Sequence, residues 1–194
     1  GCGHVVCIDA RTGQALWRFQ MSYGGVNAGV VIHEDSIIAV HGKENVDSTI
    51  IGRMVAIKKP RSLPGLGEDI LVLGKNHEIW RNNGIEAFTS TPVYQNGRVY
   101  TTIKRGELVC LDANTGEEHW VLKLAPDQIH ASPTWADGRL YVPMFNGKLF
   151  VVEDTGESAK IINELDLGSA CLAAPAVAHG RVLVQSKRKL YCFG

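Results

Sequence analysis

The 194-residue sequence has no excess of charge of either sign, because 20 lysines and arginines balance 20 aspartates and glutamates. A chain without a net positive field does not recruit nucleic acid or an anionic membrane surface. No apolar run reaches the roughly 18 residues of a membrane span, and residues 1–10 lack the basic start and apolar core of a signal peptide. The sequence therefore predicts no nucleic-acid partner and no transmembrane segment.

Cysteine is scarce, and the sequence signatures of common active sites are missing. Five cysteines, an odd number without a CxxC pair, do not form a disulfide framework. The seven histidines form no HxH or HExxH pattern, which argues against zinc. Neither a serine nucleophile elbow nor a glycine-rich phosphate loop leading into a helix is present. We expect buried free thiols inside apolar strands at Cys7, Cys110 and Cys192.

Glycine, in contrast, is abundant, with 21 residues that recur in turns at a fixed interval. Three dipeptides have the composition of β-hairpin turns, and each is followed by arginine: Asn96-Gly97, Asp137-Gly138 and His179-Gly180. Their glycines lie 41 and 42 residues apart. Three prolines keep the same interval: Pro92, Pro133 and Pro175. A constant interval of this length indicates a repeat protein.

Four short strands fit within each interval, and no segment shows a helical period of apolar residues. Four strands in about 40 residues is the size of one propeller blade. The predicted fold is all-β, a partial β-propeller of four-stranded antiparallel blades. The predicted units are a partial blade at 1–21, blades at 27–83, 88–124 and 130–168, and a partial blade at 171–194.

A longer sequence pattern also occurs twice, and it concerns the seams between blades. Residues 5–17 and 109–120 share an apolar run, an aspartate, a Thr-Gly turn and a tryptophan four residues beyond the glycine. The glycine permits a left-handed turn, the aspartate accepts backbone N–H groups of that turn, and the indole covers the seam to the neighbouring blade. The residues of this predicted docking motif are Asp9, Gly13, Trp17, Trp80, Asp112, Gly116 and Trp120.

This pattern resembles the Ala-x-Asp-x-x-x-Gly-x-x-x-Trp motif of the pyrroloquinoline-quinone-type propeller repeat, with Cys7 and Cys110 in the usual alanine position. Two blades depart from it. Lys160 stands four residues past Gly156, where the motif has tryptophan, and the first full blade keeps only Trp80. Rings of this family have seven or eight blades. The resemblance therefore implies that this chain, with about four blades, is the C-terminal portion of a larger ring.

The first full blade carries two insertions, and such loops on a rigid scaffold are where function is usually found. Residues 60–75 are expected to be a spacer, and residues 41–49, on the opposite face of the disc, to bind a ligand or partner. The candidate binding residues are His41, Lys43, Glu44, Asn45, Asp47, Arg53 and His130. The alternative is a polar loop capped by its own side chains, with His130 as a turn histidine bonded to backbone.

The resemblance covers proteins of different function. Some members are quinone-dependent dehydrogenases, and others are similar to the scaffold lipoprotein of the outer-membrane barrel-assembly machinery, which carries no cofactor. We expect a non-catalytic scaffold of the cell envelope, periplasmic or secreted, that binds protein partners through loops on the disc face.

Two other functions stay open at this point. In a quinone (PQQ)-dependent dehydrogenase, Glu44, Asn45 and Asp47 are the candidates to supply oxygen ligands to calcium. A sugar-binding propeller needs aromatic side chains in the central channel, for which Trp135 and Tyr94 are the candidates. The scaffold hypothesis, in contrast, predicts no catalytic residue, no metal site and no cofactor.

Overall fold

The computed structural model describes residues 2–128 and 130–194, and these residues form five β-sheets. Three sheets have four strands each and are called blades 1, 2 and 3, whereas the first and last sheets have three strands each. Within the described residues there is no α-helix, and the single turn of 3-10 helix lies at Lys75–His77. The predicted all-β fold is confirmed.

The strands follow the chain from sheet to sheet. The first sheet contains β1 (Cys2–Ile8), β2 (Ala15–Gly25) and β6 (Leu71–Leu73). Blade 1 contains β3 (Val31–His33), β4 (Ser36–His41), β5 (Arg53–Lys58) and β7 (Glu78–Asn83). Blade 2 contains β8 (Val93–Gln95), β9 (Arg98–Ile103), β10 (Glu107–Asp112) and β11 (Glu118–Lys123). Blade 3 contains β12 (Thr134–Ala136), β13 (Arg139–Pro143), β14 (Lys148–Asp154) and β15 (Ala159–Asp166). The last sheet contains β16 (Ala176–Ala178), β17 (Arg181–Gln185) and β18 (Leu190–Phe193).

Each blade is buried on both faces because it packs between two neighbours. In β4, Ile38 and Val40 belong to a core shared with blade 2, whereas Ile37 and Ala39 belong to a core shared with the first sheet. Two further cores join blade 2 to blade 3 and blade 3 to the last sheet. A sandwich has one core between two sheets, whereas cores between successive four-stranded sheets are typical of a propeller. The predicted partial propeller is therefore confirmed.

The hairpin turns have the backbone that their sequences predict. At Asn96-Gly97 the φ angles are 49° and 78°, and at Asp137-Gly138 they are 48° and 72°. His179-Gly180 repeats the pattern with 50° and 69°. Two successive positive φ angles are typical of type I′ turns, whose twist matches that of the flanking strands. These turns join the first and second strands of blade 2, blade 3 and the last sheet.

The second insertion of blade 1 contains a strand that the sequence does not predict. Residues 60–75 are expected to be a spacer without a site, and within them Leu71–Leu73 form β6, which pairs in parallel with residues 17–19 of β2. The insertion thus returns to the first sheet and covers the edge of β2. Because β6 is only three residues long and follows a loop rich in proline and glycine, its apolar residues do not show an alternating pattern that predicts a strand. Within the described residues, the chain has 18 strands rather than the 17 that the sequence predicts.

The predicted burial of the cysteines holds only in part. All five thiols are free. Cys110 is fully buried between blades 2 and 3, and Cys7 is half-buried. Cys192 is exposed, which corrects the prediction for this position. The reason is its strand: β18 is the edge strand of the last sheet, so no fourth strand within the described residues covers it.

Candidate functional site

The Asp-Gly part of the docking motif forms the predicted turn. In both copies, two backbone N–H groups of the turn donate to the aspartate Oδ1, at 2.7–2.9 Å from Asp9 or Asp112. Gly13 and Gly116 have φ angles of +74° and +72°. The hydrogen bond from the backbone of Thr12 lowers the pKa of the Asp9 carboxyl below its ordinary value. The aspartates therefore hold the turns.

The indole of Trp80 closes the seam between blades 1 and 2. Its Nε1–H donates to the Ala113 carbonyl oxygen at 2.9 Å, and its ring lies against Gly116 so closely that a Cβ there would be 2.3 Å from Cε3 of the ring. Asn82, two residues along the same strand, donates to the Gly116 carbonyl oxygen at 3.0 Å. A residue with a side chain at position 116 would displace the indole. Glycine is therefore needed there for this close contact as well as for its positive φ angle.

The indole of Trp120 closes the next seam on a charged partner. Its Nε1–H donates to Asp154 Oδ1 at 3.1 Å, and the Tyr100 hydroxyl donates to Oδ2 at 2.7 Å. Arg98 forms an ion pair with the same carboxylate at 2.9 Å. Burial opposes ionisation of Asp154, but these hydrogen bonds and the Gly156 N–H hold its pKa below the ordinary value. At this seam the indole therefore contacts a buried carboxylate, whereas the indole of the preceding seam packs against a glycine.

The third seam has no indole. The sequence places Lys160 at the tryptophan position of blade 3, but the strand register places Asn163 there. In blade 2, Trp120 pairs with Cys110 next to a β-bulge, and the same place in blade 3 is the pair Val151–Asn163. Beyond the bulge, the third and fourth strands form three residue pairs in blade 3 but only one in blade 2, so counting from Gly156 gives the wrong residue.

A groove of about 740 Å³ lies at this third seam. Asn163, Tyr141 and Leu165 line it from blade 3, and Val182 and Phe193 line it from the last sheet. Trp17, Trp80 and Trp120, in contrast, are 3%, 8% and 6% exposed. The predicted burial of these three indoles is thus observed, and the seam that has no indole is open.

The loop of residues 41–53 is held by its own polar side chains. His41 is fully buried, and its Nε2 lies 3.0 Å from Asn45 Oδ1. Because the Lys43 N–H donates to His41 Nδ1, the ring proton is on Nε2 and is donated to Asn45. Asn45 in turn donates to the Ile50 and Gly52 carbonyl oxygens. Burial lowers the pKa of His41 to about 4, so the ring is neutral at pH 7.

A network of charged side chains fixes the base of the same loop. Arg53 is 1% exposed and donates to Asp47 at 2.5 Å and to Asn83 at 2.7 Å. Arg81 donates to the second Asp47 oxygen at 2.7 Å and also pairs with Glu78. The hydrogen bond from Arg81 is the main cause that lowers the pKa of Asp47 to about 2. Arg53 is buried and Asp47 is paired on both oxygens, so these groups hold the base of the loop.

These bonds do not fit calcium coordination by the predicted ligands. The Asn45 oxygen accepts from His41, and both Asp47 oxygens accept from arginines. Of the three candidates only Glu44 is free to face a ligand, and calcium needs six to eight oxygens. Across residues 2–128 and 130–194, no three His, Cys, Asp or Glu side chains lie close enough together to hold a metal ion.

The remaining candidates, Lys43, Glu44 and His130, lie toward solvent on one face of the disc. The Lys43 Nζ lies 4.8 Å from the centre of the Phe88 ring. His130 Nδ1 lies 3.1 Å from the Thr89 hydroxyl, and its ring packs edge-on against Phe88. His130 is thus bonded to a side chain of the preceding blade. Sequence reasoning missed Phe88, which no spacing rule marks because it lies in an irregular connection.

The aromatic candidates for a sugar-binding channel pack into the seams. Trp135 stacks on Tyr100, with ring centres 5.6 Å apart and an interplanar angle of 23°. Tyr94 packs against His33 at 5.0 Å, and its hydroxyl accepts from the Gly97 N–H at 3.1 Å. Both rings are only partly buried, but each packs against a core between blades.

Comparison with known proteins finds similarity to a family model, to a curated protein and to a solved structure. A family described as "Outer membrane protein assembly factor BamB" matches residues 69–159. The outer membrane protein assembly factor BamB of Moranella endobia is 27% identical over 129 residues, which cover 58% of this chain and 33% of the relative. The crystal structure of BamB from Moraxella catarrhalis superimposes with a TM-score of 0.63 and 14% identity, over 98% of this chain and 52% of that one.

The match to the solved structure shows the fold alone, and the chain spans about half the length of that protein and a third of the curated relative. Among the described residues there is no helix with the length and hydropathy of a membrane span. The observed blades, the seams closed by indoles and the match over residues 69–159 agree with one another. The predicted resemblance to the pyrroloquinoline-quinone-type repeat is confirmed: the chain is a partial β-propeller that is similar to the outer membrane protein assembly factor BamB, with the family match over residues 69–159.

Proposed function

We propose that this chain is the propeller segment of a non-catalytic scaffold in the bacterial cell envelope, on the periplasmic side, that binds protein partners through the loops on one face of the disc. The observation that carries the proposal is the bonding of the candidate polar residues. His41, Asn45 and Arg53 are buried and hydrogen-bonded within the loop, and the two carboxylate oxygens of Asp47 accept from Arg53 and Arg81. A general base must reach the proton that it removes, and none of these groups is placed to do so.

The similarity to an outer membrane assembly factor supports the same proposal. A rigid disc with a loop fixed by a buried arginine presents its exposed side chains in a constant arrangement, which suits recognition of a protein surface. The exposed residues of that face include Glu44, Lys187 and Arg188. We assign the binding role to this face and the structural role to the buried network beneath it.

Photo-cross-linking in cells tests the proposal. The full-length protein carries a photoreactive amino acid in place of Glu44 or of Arg188, and matched controls carry it in place of Glu157 on the opposite face, where the third and fourth strands of blade 3 meet. We expect discrete cross-linked envelope proteins from the first two positions and none of these from the control. Cross-links of equal yield from both faces would contradict the assignment.

A second measurement separates the scaffold from a quinone enzyme. The full-length protein is incubated with the quinone and calcium, and absorbance and dye reduction are followed. The scaffold proposal predicts neither stoichiometric quinone uptake nor turnover. Uptake of one quinone per chain together with dye reduction would overturn it.

A further inference from the structure

Five side chains form a continuous row across one face of the disc, from blade 1 to the last sheet. The Lys43 Nζ lies 4.8 Å from the Phe88 ring centre, and Phe88 and His130 have ring centres 6.3 Å apart. His130 and Phe145 follow at 6.2 Å, and the Lys187 Nζ lies 5.7 Å from the Phe145 ring centre. This lysine–aromatic row therefore has a histidine at its centre, one phenylalanine ring on each side of it and a lysine at each end.

The topology explains why these residues meet. Lys43, Phe145 and Lys187 lie in connections between the second and third strands of their sheets, whereas Phe88 and His130 lie in connections between sheets. In an up-and-down antiparallel sheet both kinds of connection emerge on the same face. Residues far apart in sequence are thus brought side by side by the repeat itself, and each consecutive sheet adds to the row.

The two terminal cations have no carboxylate partner within the part of the chain that the structure describes. Two other cations of this face are paired: Lys104 with Glu86 at 2.9 Å, and Arg105 with Glu107 at 3.0 Å. Lys43 and Lys187 form no such pair, although each lies over an aromatic ring. Two unpaired cations at the ends of one row are complementary to two anionic groups.

The spacing of the row sets the length of the occupant. The successive distances place the two ammonium groups at most roughly 23 Å apart, which about seven residues of extended chain span at ~3.3 Å each. Phe88 and Phe145 are only half-buried and offer apolar surface between the cations. Beside Phe88, a cavity of about 260 Å³ bounded by Lys43 and Gln128 has room for one side chain.

We propose that the lysine–aromatic row binds an extended peptide segment of a partner protein that carries a carboxylate near each end and apolar side chains between. The proposal rests on the proposed function and names the partner surface that the face recognises. Glu44, Glu86 and Asp127 also lie on this face, so a uniformly anionic polymer or bilayer would meet repulsion between its charges and theirs. A short segment with acids only at its ends avoids that repulsion.

A binding assay with a defined probe tests the proposal. The probe is a capped, fluorescein-labelled nine-residue peptide with a glutamate near each end and alternating leucine and serine between. Fluorescence anisotropy is measured with the full-length protein at low and at physiological salt. We expect binding that weakens with salt, and loss of at least tenfold in affinity when both glutamates of the probe are replaced by glutamine.

Variants of the protein locate the site. K43Q/K187Q should weaken the probe about tenfold, and F88L/F145L about fivefold. The matched control, K58Q/K160Q, removes two exposed lysines outside the row and should stay within twofold of the wild type. Equal loss in the control, or no binding of the probe by the wild type, would overturn the proposal.

Two further outcomes are decisive. Vesicles of anionic phospholipid that bind through Lys43 and Lys187 while the peptide does not would replace the peptide with a membrane surface and overturn the proposal. If the peptide fails to bind but the cross-links from Glu44 and Arg188 persist, the row is wrong and the proposed function stands. If those cross-links are absent as well, both fail.

Discussion

The seam between blades 1 and 2 and the seam between blade 3 and the last sheet use the same strand positions but different residues. In the first, the Trp80 indole lies against Gly116 and donates to the Ala113 carbonyl oxygen. In the other, Asn163 occupies the corresponding place and a groove of about 740 Å³ is left. Blade 3 and the last sheet form without an indole between them, but a groove is left at their seam. The repeated tryptophan therefore acts as a seal, which fills the space between neighbouring sheets.

The largest expected effect comes from removing the seal. Trp80→Ala should lower the free energy of unfolding by about 4 kcal/mol, since it deletes a buried indole and leaves a cavity. Urea unfolding of the full-length protein measures it. Trp80→Phe keeps an aromatic ring but loses the hydrogen bond to Ala113, and should cost only about 1.5 kcal/mol. Equal losses for the two variants would mean that packing at this seam matters little.

The surface that receives the indole gives the next effect. Gly116→Ala should cost about 3 kcal/mol, because a Cβ would lie 2.3 Å from the Trp80 ring and the φ angle is +72°. Gly138→Ala is the matched control, with the same φ of +72° and nothing within 4 Å. It should cost about 1 kcal/mol, from the backbone alone. Similar urea midpoints for the two variants would contradict the close contact.

The seam between blades 2 and 3 makes the stability of the protein depend on pH. Asp154→Asn should cost about 2 kcal/mol at pH 7, because the carboxylate accepts from Arg98, Tyr100 and Trp120. The pKa of Asp154 is lower in the folded than in the unfolded protein, so its contribution is complete above the unfolded value near 3.8 and declines as pH falls through the folded value.

The readout of that prediction is the difference in unfolding free energy between wild type and variant from pH 7 to pH 2. It should stay constant above about pH 4 and shrink below it. Asp137→Asn, at an exposed hairpin position with φ of 48°, is the control and should leave the profile unchanged. A difference between wild type and Asp154→Asn that grows on acidification would have the wrong sign.

The smallest expected effect is a gain in stability at the seam between blade 3 and the last sheet. Asn163→Trp places an indole in the open groove and should raise the free energy of unfolding by about 1 kcal/mol through burial of apolar area. Asn163→Ala lacks that area and should give no gain. Thermal unfolding of the full-length protein distinguishes the two. A Lys160→Trp variant that stabilises more than Asn163→Trp would show that the register at this seam differs from the one described.

The sequence was informative where residue spacing and backbone chemistry coincide. Asp9, Gly13 and Trp17 recur as a unit because a left-handed turn needs glycine and its N–H groups need an acceptor. The hairpin dipeptides were predictable for the same reason. Spacing failed at Asn163, because the paired strands of blade 3 extend farther beyond the bulge, and at β6, because a three-residue parallel strand depends on a distant partner.

The candidate site was less predictable than the fold. The sequence grouped His41, Asn45, Asp47 and Arg53 as candidate binding residues around one loop, but composition does not tell whether polar groups face a ligand or one another. That depends on burial, and Arg53 is 1% exposed because β5 lies in the middle of blade 1. The lysine–aromatic row could not be read from the sequence, because its members come from five different connections between strands.

A double-mutant cycle on Trp80 and Gly116 tests most directly whether an indole of one blade lies on the turn of the next. In the Trp80→Ala background, Gly116→Ala should cost only about 1 kcal/mol, as Gly138→Ala does, so the cycle should give a coupling of about 2 kcal/mol. Strictly additive losses would show that the two residues do not touch and would contradict the account of how these sheets are joined.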